Sequence, residues 1–493
     1  MRIRTRSILI MTFQGITQAT QVILGMVLVR LISKEMLGSY RQVTLAYTMI
    51  GGILSLQIQN SLYYYLPKLG PEKRRELVAQ TLIITSFLSI IIGFVMFCTA
   101  DLFAKQFNNP QIAMWIRIFA LFPIVDRVIQ LLPSFLISLD KALYSGLYSM
   151  FTTVMMISSV VAVFALGYGI AGALWVKLLI GAISAVAGIG LMALFSPQGK
   201  WHFDKDLCFA QFNYCWPLMA TTIVGVVNLK VGEMLISSYF SREVYAVYST
   251  GALELPLIAL FTSSITSAIM PNMVVEVDKG NKLNALNLWH EATRKSSLLI
   301  FPTFVIFCLC GYDFIVFMYT PDYADATWPF LIYLGQLPIR VAIYAAIFRA
   351  IGCTRPIAIS ALIALMVNLI VSVALLLIGH GGFLSYISPS IGMFFGTAAA
   401  LIYLLITLCG KLNISFANVM RWKELGRIFV ISLVCGIILF LIPMPIEQLF
   451  LKLAARFVLF GLLYATSLVV TKSLKPDEWE LLKVPLFLIK KYI

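Results

Sequence analysis

The sequence predicts an all-α polytopic membrane protein with about fourteen transmembrane helices. Of its 493 residues, 60% are apolar and only 12% are charged, against about 25% charged residues in soluble domains. The mean hydropathy of +0.92 leaves enough apolar sequence for about fourteen segments of roughly 20 residues, the length that crosses a hydrocarbon core of ~30 Å. This composition excludes a water-soluble globular chain.

The apolar segments follow one another as closely spaced hairpins. The predicted spans cover residues 8–31, 43–66, 78–100, 112–137, 143–166, 170–195, 211–238, 244–270, 296–319, 326–348, 356–379, 384–409, 428–443 and 449–471. The first one follows three arginines, as in a signal peptide, but it is too long and lacks a small-residue cleavage site. We therefore interpret it as the first span. The longest segments between spans have room only for short amphipathic helices.

The net charge of +15 would indicate a nucleic-acid partner in a soluble protein, but here it reports topology. With the N-terminus placed in the cytoplasm, about 25 of the 37 Lys and Arg residues fall in the inside segments, as the positive-inside rule requires. Both termini are then cytoplasmic, and no nucleic-acid partner is expected.

Motifs of catalysis are missing from the sequence. It contains no Walker loop, dinucleotide fingerprint or nucleophile elbow, and His290-Glu291 lacks the second histidine of a zinc helix. The eight cysteines are scattered and mostly lie inside spans, where they behave as small apolar residues. We predict a protein that is not an enzyme and that holds no metal and no cofactor.

An internal repeat divides the chain. The turn after the first span reads Ser-Lys-Glu-Met-Leu-Gly-Ser-Tyr at residues 33–40, and the turn after the seventh reads Ser-Arg-Glu-Val-Tyr-Ala-Val-Tyr at 241–248, an offset of 208 residues. An even number of spans per repeat gives both halves the same orientation in the membrane. The pattern predicts two related six-helix halves.

Residues 30–40, Arg-Leu-Ile-Ser-Lys-Glu-Met-Leu-Gly-Ser-Tyr, resemble the turn after helix one in the polysaccharide transporter (Wzx-type flippase) family of the multidrug/oligosaccharidyl-lipid/polysaccharide exporter superfamily. The basic N-terminus, the span count and the repeat resemble that family too. The resemblance implies two six-helix bundles, 1–200 and 201–410, in a V around a central cavity, with an additional helix pair and cytoplasmic tail at 411–493.

The implied activity of this family is a flippase that works by alternating access. It moves a polyprenyl-diphosphate-linked oligosaccharide, the repeat unit of an O-antigen, capsule or exopolysaccharide, from the cytoplasmic to the outer leaflet. The implied location is the bacterial inner membrane. The implied partners are the lipid-linked glycan, membrane lipid, and the polysaccharide polymerase and glycosyltransferases of the same pathway.

Polar stripes on three spans are candidates for the cavity wall, because amides turned toward lipid are costly. Helical spacing places Gln14, Gln18 and Gln21 on one face of the first span. Similar stripes are Gln57, Asn60 and Tyr64 in the second span, and Thr221, Gly225, Asn228 and Gly232 in the seventh. The alternative is that such residues only join neighbouring helices.

Charged residues near the predicted bilayer centre are the sharpest candidates. They are Asp126, Arg127, Glu254 and Arg340. An arginine suits a diphosphate because its guanidinium forms paired hydrogen bonds and stays protonated when desolvated, whereas a structural Arg340–Glu254 ion pair is the alternative. Lys230 and Glu233 lie one helical turn apart and can pair locally. Arg117 and Lys177 are expected to snorkel toward the outer surface.

The membrane potential is a sufficient energy source for export. A head group with about two negative charges gains roughly 4–5 kcal/mol on leaving a cell at 100 mV, inside negative, from ~2.3 kcal/mol per charge. Proton or sodium coupling stays open as well, and Asp126, Glu254 and Glu233 are its candidate carboxylates.

Two transporters of the same superfamily are alternatives. A cation-coupled multidrug exporter often uses a carboxylate in helix one, which the first span here lacks. A lipid II flippase typically carries arginines in that helix, where this chain has glutamines. A membrane-embedded glycosyltransferase or ligase would need a larger outer loop, and a pure scaffold would not need polar stripes.

Overall fold

The computed structural model describes residues 3–195, 204–253 and 255–474, which fold as helices and connecting turns. The α-helices are α1 (Ile3–Leu31), α2 (Lys34–Ile53), α3 (Gln59–Tyr65), α4 (Pro71–Gln106), α5 (Ile112–Phe119), α6 (Phe122–Ser138), α7 (Ala142–Ala165), α8 (Gly169–Phe195), α9 (Lys205–Tyr239), α10 (Arg242–Gly251), α11 (Pro256–Asp278), α12 (Lys282–Tyr319), α13 (Thr327–Leu334), α14 (Gln336–Ile339), α15 (Tyr344–Ala350), α16 (Arg355–Ile378), α17 (Phe383–Leu412), α18 (Trp422–Leu441) and α19 (Leu449–Val470). The predicted all-α polytopic fold class is confirmed.

Eleven helical stretches within the described ranges are long and apolar enough to cross a membrane. The three remaining predicted spans are interrupted helices. The breaks lie at 54–58 between α2 and α3, at 120–121 between α5 and α6, and at 252–255 between α10 and α11. The predicted span 326–348 is also divided, since α14 ends at Ile339 and α15 begins at Tyr344.

Local sequence explains two of these breaks. Gln57 has a φ of 51°, a left-handed conformation that interrupts a right-handed helix. Pro256 is the first residue of α11 and Leu255 before it is extended, because proline tolerates the first helical position and disfavours a helical residue ahead of it.

The described helices group into two compact units. The first comprises Met1–Thr250 with Leu369–Pro389, and the second comprises Gly251–Asn368 with Ser390–Ile493. The division into bundles 1–200 and 201–410 with a C-terminal segment 411–493 stays a prediction.

In the first unit, a core of fully buried side chains joins α3, α4 and α6, with Leu62, Leu77 and Leu131 at its centre. Side-chain packing joins α1 and α7, since the Phe13 ring lies against Gly146, where a β-carbon would stand 2.0 Å from the ring. This packing holds the elements that form the first cavity described below.

In the second unit, the largest buried cluster surrounds Trp289 and Phe348. The two C-terminal helices are fixed to α12 by ion pairs, and for α18 the pair is Arg294 with Glu424 at 3.1 Å. Asp313 accepts from Lys452 and Arg456 of α19 at 3.0 and 2.9 Å. Helices α18 and α19 are therefore part of the packed unit.

Candidate functional site

A cavity of about 460 Å³ lies inside the first unit, among α2, α6, α7, α8 and α9. Its polar and charged lining residues are Thr44, Tyr47, Thr48, Asp126, Arg127, Gln130, Lys177 and Lys230. Three of these carry a positive charge and one carries a negative charge. The lining therefore has a formal surplus of two positive charges, which favours an anion.

Arg127 is positioned by the break at the end of α2. Its guanidinium donates to the Gly51 carbonyl at 2.8 Å and to Ser55 Oγ at 3.4 Å. The last carbonyls of a helix have no partner within the helix, so the interrupted span supplies an acceptor that holds the arginine. A β-carbon on Gly51 would lie 2.9 Å from Arg127 Nη2, so a larger residue there would make the guanidinium shift.

The Asp126 carboxylate accepts hydrogen bonds from two neutral side chains. Its Oδ2 accepts from the Tyr47 hydroxyl and, at 2.6 Å, from Gln130 Nε2. Both hydrogen bonds go to the same carboxylate oxygen, and neither donor carries a charge. The adjacent guanidinium of Arg127 has its partners at the end of α2 and in the break after it, donates to Gln130 Oε1 at 3.5 Å, and lines the cavity.

Two lysines complete the cationic lining. The Lys177 ammonium lies 5.3 and 5.2 Å from the ring centroids of Phe119 and Phe122, a cation–π geometry. Lys230 pairs with Glu233 at 2.5 Å, as its spacing on α9 predicts. The Lys177 side chain lines the cavity and lies over two rings of the first unit, and its expected snorkelling toward the outer surface stays a prediction.

One set of contacts closes the first unit where both copies of the repeated turn meet, and we name it the Arg242 seam. Its members are Glu35, Gly38, Arg41 and Gln42 of α2 together with Ser237, Arg242, Ala246, Ser249 and Thr250 of α9 and α10. Arg242 pairs with Glu35 at 2.7 Å. Arg41 Nη1 donates to the Ala246 carbonyl at 3.0 Å and to two hydroxyls of α10.

The two turns begin their helices in the same way. Ser33 Oγ accepts from the Met36 amide at 3.2 Å, and Ser241 Oγ accepts from the Val244 amide at 3.4 Å. Both serines thus cap helix N-termini. The Ser241 hydroxyl also donates to Glu243 and lowers the pKa of that carboxyl below its usual value.

A second set of contacts, which we name the Gln211 seam, consists of Ser61, Gln80, Thr81 and Gln211. All four side chains are fully buried. Gln80 Nε2 donates to Gln211 Oε1 at 2.8 Å, while Gln211 Nε2 donates to Ser61 at 2.8 Å and to Thr81 at 2.9 Å. The seam joins the first turns of α9 to α3 and α4.

Helix α9 is therefore held at both ends, with the cavity between. The cavity residues Val226 and Lys230 lie between Gln211 and Ser237 along the helix, a separation of about 39 Å at 1.5 Å per residue. Gly52 packs directly on Val226, since its β-carbon would lie 2.6 Å from that side chain.

A cavity of about 400 Å³ in the second unit contains Arg340 at the break between α14 and α15. Its walls are mainly apolar, and its other polar residues are Thr262, Tyr333, Gln336, Tyr344 and Ser360. Glu254, the predicted ion-pair partner of Arg340, lies outside the described residues.

The glutamine stripe of the first span does not line either cavity. Gln14, Gln18 and Gln21 are exposed on α1, and their binding role stays a prediction. Asn228 lies on α9 beside the cavity without lining it.

The predicted helical stripe of Gln57, Asn60 and Tyr64 is wrong as a structural expectation, because the helix is broken at Gln57. Gln57 Oε1 instead accepts from Gln59 at 3.1 Å and from Asn60 at 3.4 Å. These amides bind one another around the break.

No group of three or more His, Cys, Asp or Glu side chains in the described ranges is arranged to hold a metal ion. The groups that can hold a ligand in the first cavity are cationic and hydrogen-bonding. The arrangement suits binding of an anion.

The apolar helices long enough to cross a membrane and the cavity with its cationic lining are those of a multi-pass membrane protein of the transporter type. The chain belongs to the family described as "Polysaccharide biosynthesis protein", whose model matches residues 27–327. This membership confirms the family that residues 30–40 indicate. No curated protein matches the chain.

Solved structures share the fold. The lipid II flippase MurJ in an inward closed conformation matches with a TM-score of 0.70 and 15% identity over 93% of this chain and 98% of that chain. A MOP superfamily transporter from Pyrococcus furiosus matches with a TM-score of 0.57 and 14% identity over 84% and 95%. A multidrug resistance MATE transporter matches with a TM-score of 0.56 and 13% identity over 84% and 98%. These proteins are described as flippases and transporters rather than enzymes.

Proposed function

We propose that this protein is a flippase for a polyprenyl-diphosphate-linked oligosaccharide. The observation that carries the proposal is the cavity with Arg127, Lys177 and Lys230 in its wall, inside a chain of the polysaccharide biosynthesis family. The diphosphate binds these cations, while the glycan occupies the space beside them. The polyprenyl tail stays in lipid.

Transport proceeds by alternating release of the two seams of α9. In the proposed topology, with both termini cytoplasmic, the Gln211 seam faces the cytoplasm and the Arg242 seam faces the outside of the inner membrane. Opening the first admits the head group, and opening the second releases it to the outer leaflet. No bond is made or broken.

The membrane potential drives export of the anionic head group in this proposal, with roughly 4–5 kcal/mol available at 100 mV. Coupling to protons or sodium is the alternative energy source. Asp126 and Glu233 are the described carboxylates at or near the cavity, and Glu254 is a further candidate from the sequence. Arg340 is proposed as a second contact for the anionic substrate.

The cavity charge favours a flippase over an exporter of cationic drugs, because a surplus of one positive charge remains even when Glu233, the ion-pair partner of Lys230, is counted with the lining. Lipid II also carries a polyprenyl diphosphate, and the TM-score of 0.70 to a lipid II flippase makes it the second candidate substrate. A comparison of lipid II with lipid-linked oligosaccharides in one assay separates the two.

The test is flipping of a fluorescent polyprenyl-diphosphate oligosaccharide in proteoliposomes. Arg127→Gln is expected to slow flipping by roughly tenfold to a hundredfold, since hydrogen bonds to charged groups contribute about 1.5–3 kcal/mol. Arg117→Gln is the matched control, because Arg117 lies in the same predicted span and pairs with exposed Asp101 outside the cavity. Equal rates in the two variants would overturn the proposal.

A further inference from the structure

A continuous set of hydrogen-bonded side chains leads from the cavity to the Arg242 seam. Lys230 lines the cavity and donates to Glu233 Oε1 at 2.5 Å. Glu233 Oε2 accepts from the Tyr245 hydroxyl at 3.1 Å. One carboxylate on α9 therefore contacts a cavity cation on one side and a residue of α10 on the other.

Tyr245 connects this carboxylate to the centre of the seam. Its side chain is fully buried, and its hydroxyl lies 3.5 Å from the Arg41 carbonyl. Arg41 in turn donates to Ala246, Ser249 and Thr250 of the same helix as Tyr245. A shift of the Tyr245 ring would therefore disturb both α10 and its contact with α2.

The partners of Glu233 explain why its position depends on the cavity. Its side chain is only 18% exposed, so little water is available to replace a lost cation. A partly buried carboxylate without its ion-pair partner is strongly destabilised. The ion pair with Lys230 therefore stabilises the Glu233 side chain in the position where it accepts from Tyr245.

We propose that Glu233 couples anion binding in the cavity to opening of the Arg242 seam. This inference rests on the proposed anion site. A diphosphate bound in the cavity competes for Lys230 and repels the Glu233 carboxylate. Glu233 then leaves the Tyr245 hydroxyl, and the buried contact of α10 with α2 is weakened. An empty cavity restores the Lys230–Glu233 pair and the closed seam.

The expected strength is that of ordinary coupling between two sites. Such coupling changes an equilibrium by about 5–150-fold. We expect a value toward the lower end of this range, because the coupling passes through two successive hydrogen bonds. Diphosphate should therefore increase the ratio of open to closed seam by about tenfold. Because linkage is reciprocal, the open seam binds the anion more tightly by the same factor.

The experiment measures the distance between spin labels on the full-length protein in nanodiscs, with inorganic diphosphate as the probe. The labels replace Lys105 of α4 and Tyr239 of α9, two exposed residues that flank the 2.9 Å Gln106–Ser238 hydrogen bond. The eight native cysteines are replaced in this background. Calorimetry on the same samples measures diphosphate binding.

Two variants each remove one of the two contacts of Glu233, the ion pair with Lys230 or the hydrogen bond from Tyr245. In Glu233→Gln the ion pair is lost, so diphosphate is expected to bind at least as tightly as in the unaltered protein but to leave the label distance unchanged. In Tyr245→Phe the bond to the seam is lost, with the same expected result. Glu276→Gln is the matched control, because Glu276 pairs with Lys279 at the same three-residue spacing away from the cavity.

Each outcome has a defined meaning. A diphosphate-induced lengthening in the unaltered protein and in Glu276→Gln, absent from the other two variants, supports the coupling. Full lengthening in Glu233→Gln or Tyr245→Phe overturns the coupling alone, as does loss of diphosphate binding in both. No binding of diphosphate to the unaltered protein overturns the anion site and the coupling together.

Discussion

Gly38 of α2 lies directly against the backbone of Arg242, the first residue of α10: a β-carbon on Gly38 would stand 2.1 Å from the Arg242 carbonyl oxygen. Both residues belong to the repeated turn, so the two copies of the motif contact each other. The repeat is visible in the sequence, whereas the contact between its copies is not.

Gly38→Ala is expected to separate α2 from α10, because neither backbone can yield without moving its helix. The cost of such overpacking is about 1–3 kcal/mol. Spin labels at positions 105 and 239 should report a longer mean distance without any ligand. Gly225→Ala on α9 is the control, since nothing lies within 4 Å of its β-carbon. An unchanged distance in Gly38→Ala would contradict the close contact.

Gln211→Leu is expected to open the other seam. The substitution leaves the buried Gln80 amide without its acceptor, which costs about 1–3 kcal/mol, and it should lower the thermal unfolding midpoint. Cys215, one turn along α9 and fully buried, serves as the reporter in a background without the other cysteines.

A membrane-permeant thiol reagent should label Cys215 faster in Gln211→Leu than in the unaltered protein. Gln111→Leu, at an exposed position, controls for loss of a glutamine. Slow labelling in both variants would show that the Gln211 seam does not limit access to α9.

Lys177→Gln is expected to weaken diphosphate binding by about fivefold, the equivalent of about 1 kcal/mol for two unit charges 4 Å apart in water. The effect should diminish at high ionic strength, because salt screens charges that solvent reaches. Calorimetry at two salt concentrations measures both. Lys279→Gln, which alters a lysine outside the cavity, should bind as the unaltered protein does.

Asp126→Asn distinguishes export driven by the membrane potential from export coupled to protons or sodium. The amide oxygen can still accept from Tyr47 and Gln130, while the surplus charge of the cavity lining rises by one. The added surplus charge should make diphosphate bind more tightly. If the membrane potential alone drives export, flipping by the variant keeps its dependence on the potential. Loss of a response to an imposed proton or sodium gradient in this variant would instead assign the coupling to Asp126.

The sequence was sufficient for the parts of the fold that depend on hydropathy. It predicted an all-α multi-span protein, and eleven of its fourteen predicted spans correspond to described stretches long and apolar enough to cross a membrane. It also singled out Arg127, because a charge at mid-membrane is costly. It missed Lys177, since position along a span does not reveal a cation–π contact with Phe119 and Phe122. It did not predict the break at Gln57 in the second span or the one between α5 and α6 in the fourth.

The seams were beyond sequence reasoning for a different reason. Gln80 and Gln211 are 131 residues apart, and nothing local to either residue specifies the other as its partner. The exposed stripe of Gln14, Gln18 and Gln21 had the same pattern as a cavity wall, because helical periodicity defines a face without defining what that face meets.

The central claim is that the cavity around Arg127 binds the diphosphate of the lipid-linked substrate. The most direct measurement is calorimetric binding of a soluble short-chain prenyl-diphosphate sugar to the unaltered protein, Arg127→Gln and Arg117→Gln. We predict that the unaltered protein and Arg117→Gln bind with equal affinity and that Arg127→Gln binds roughly tenfold to a hundredfold more weakly. Equal affinity for all three proteins would contradict the claim.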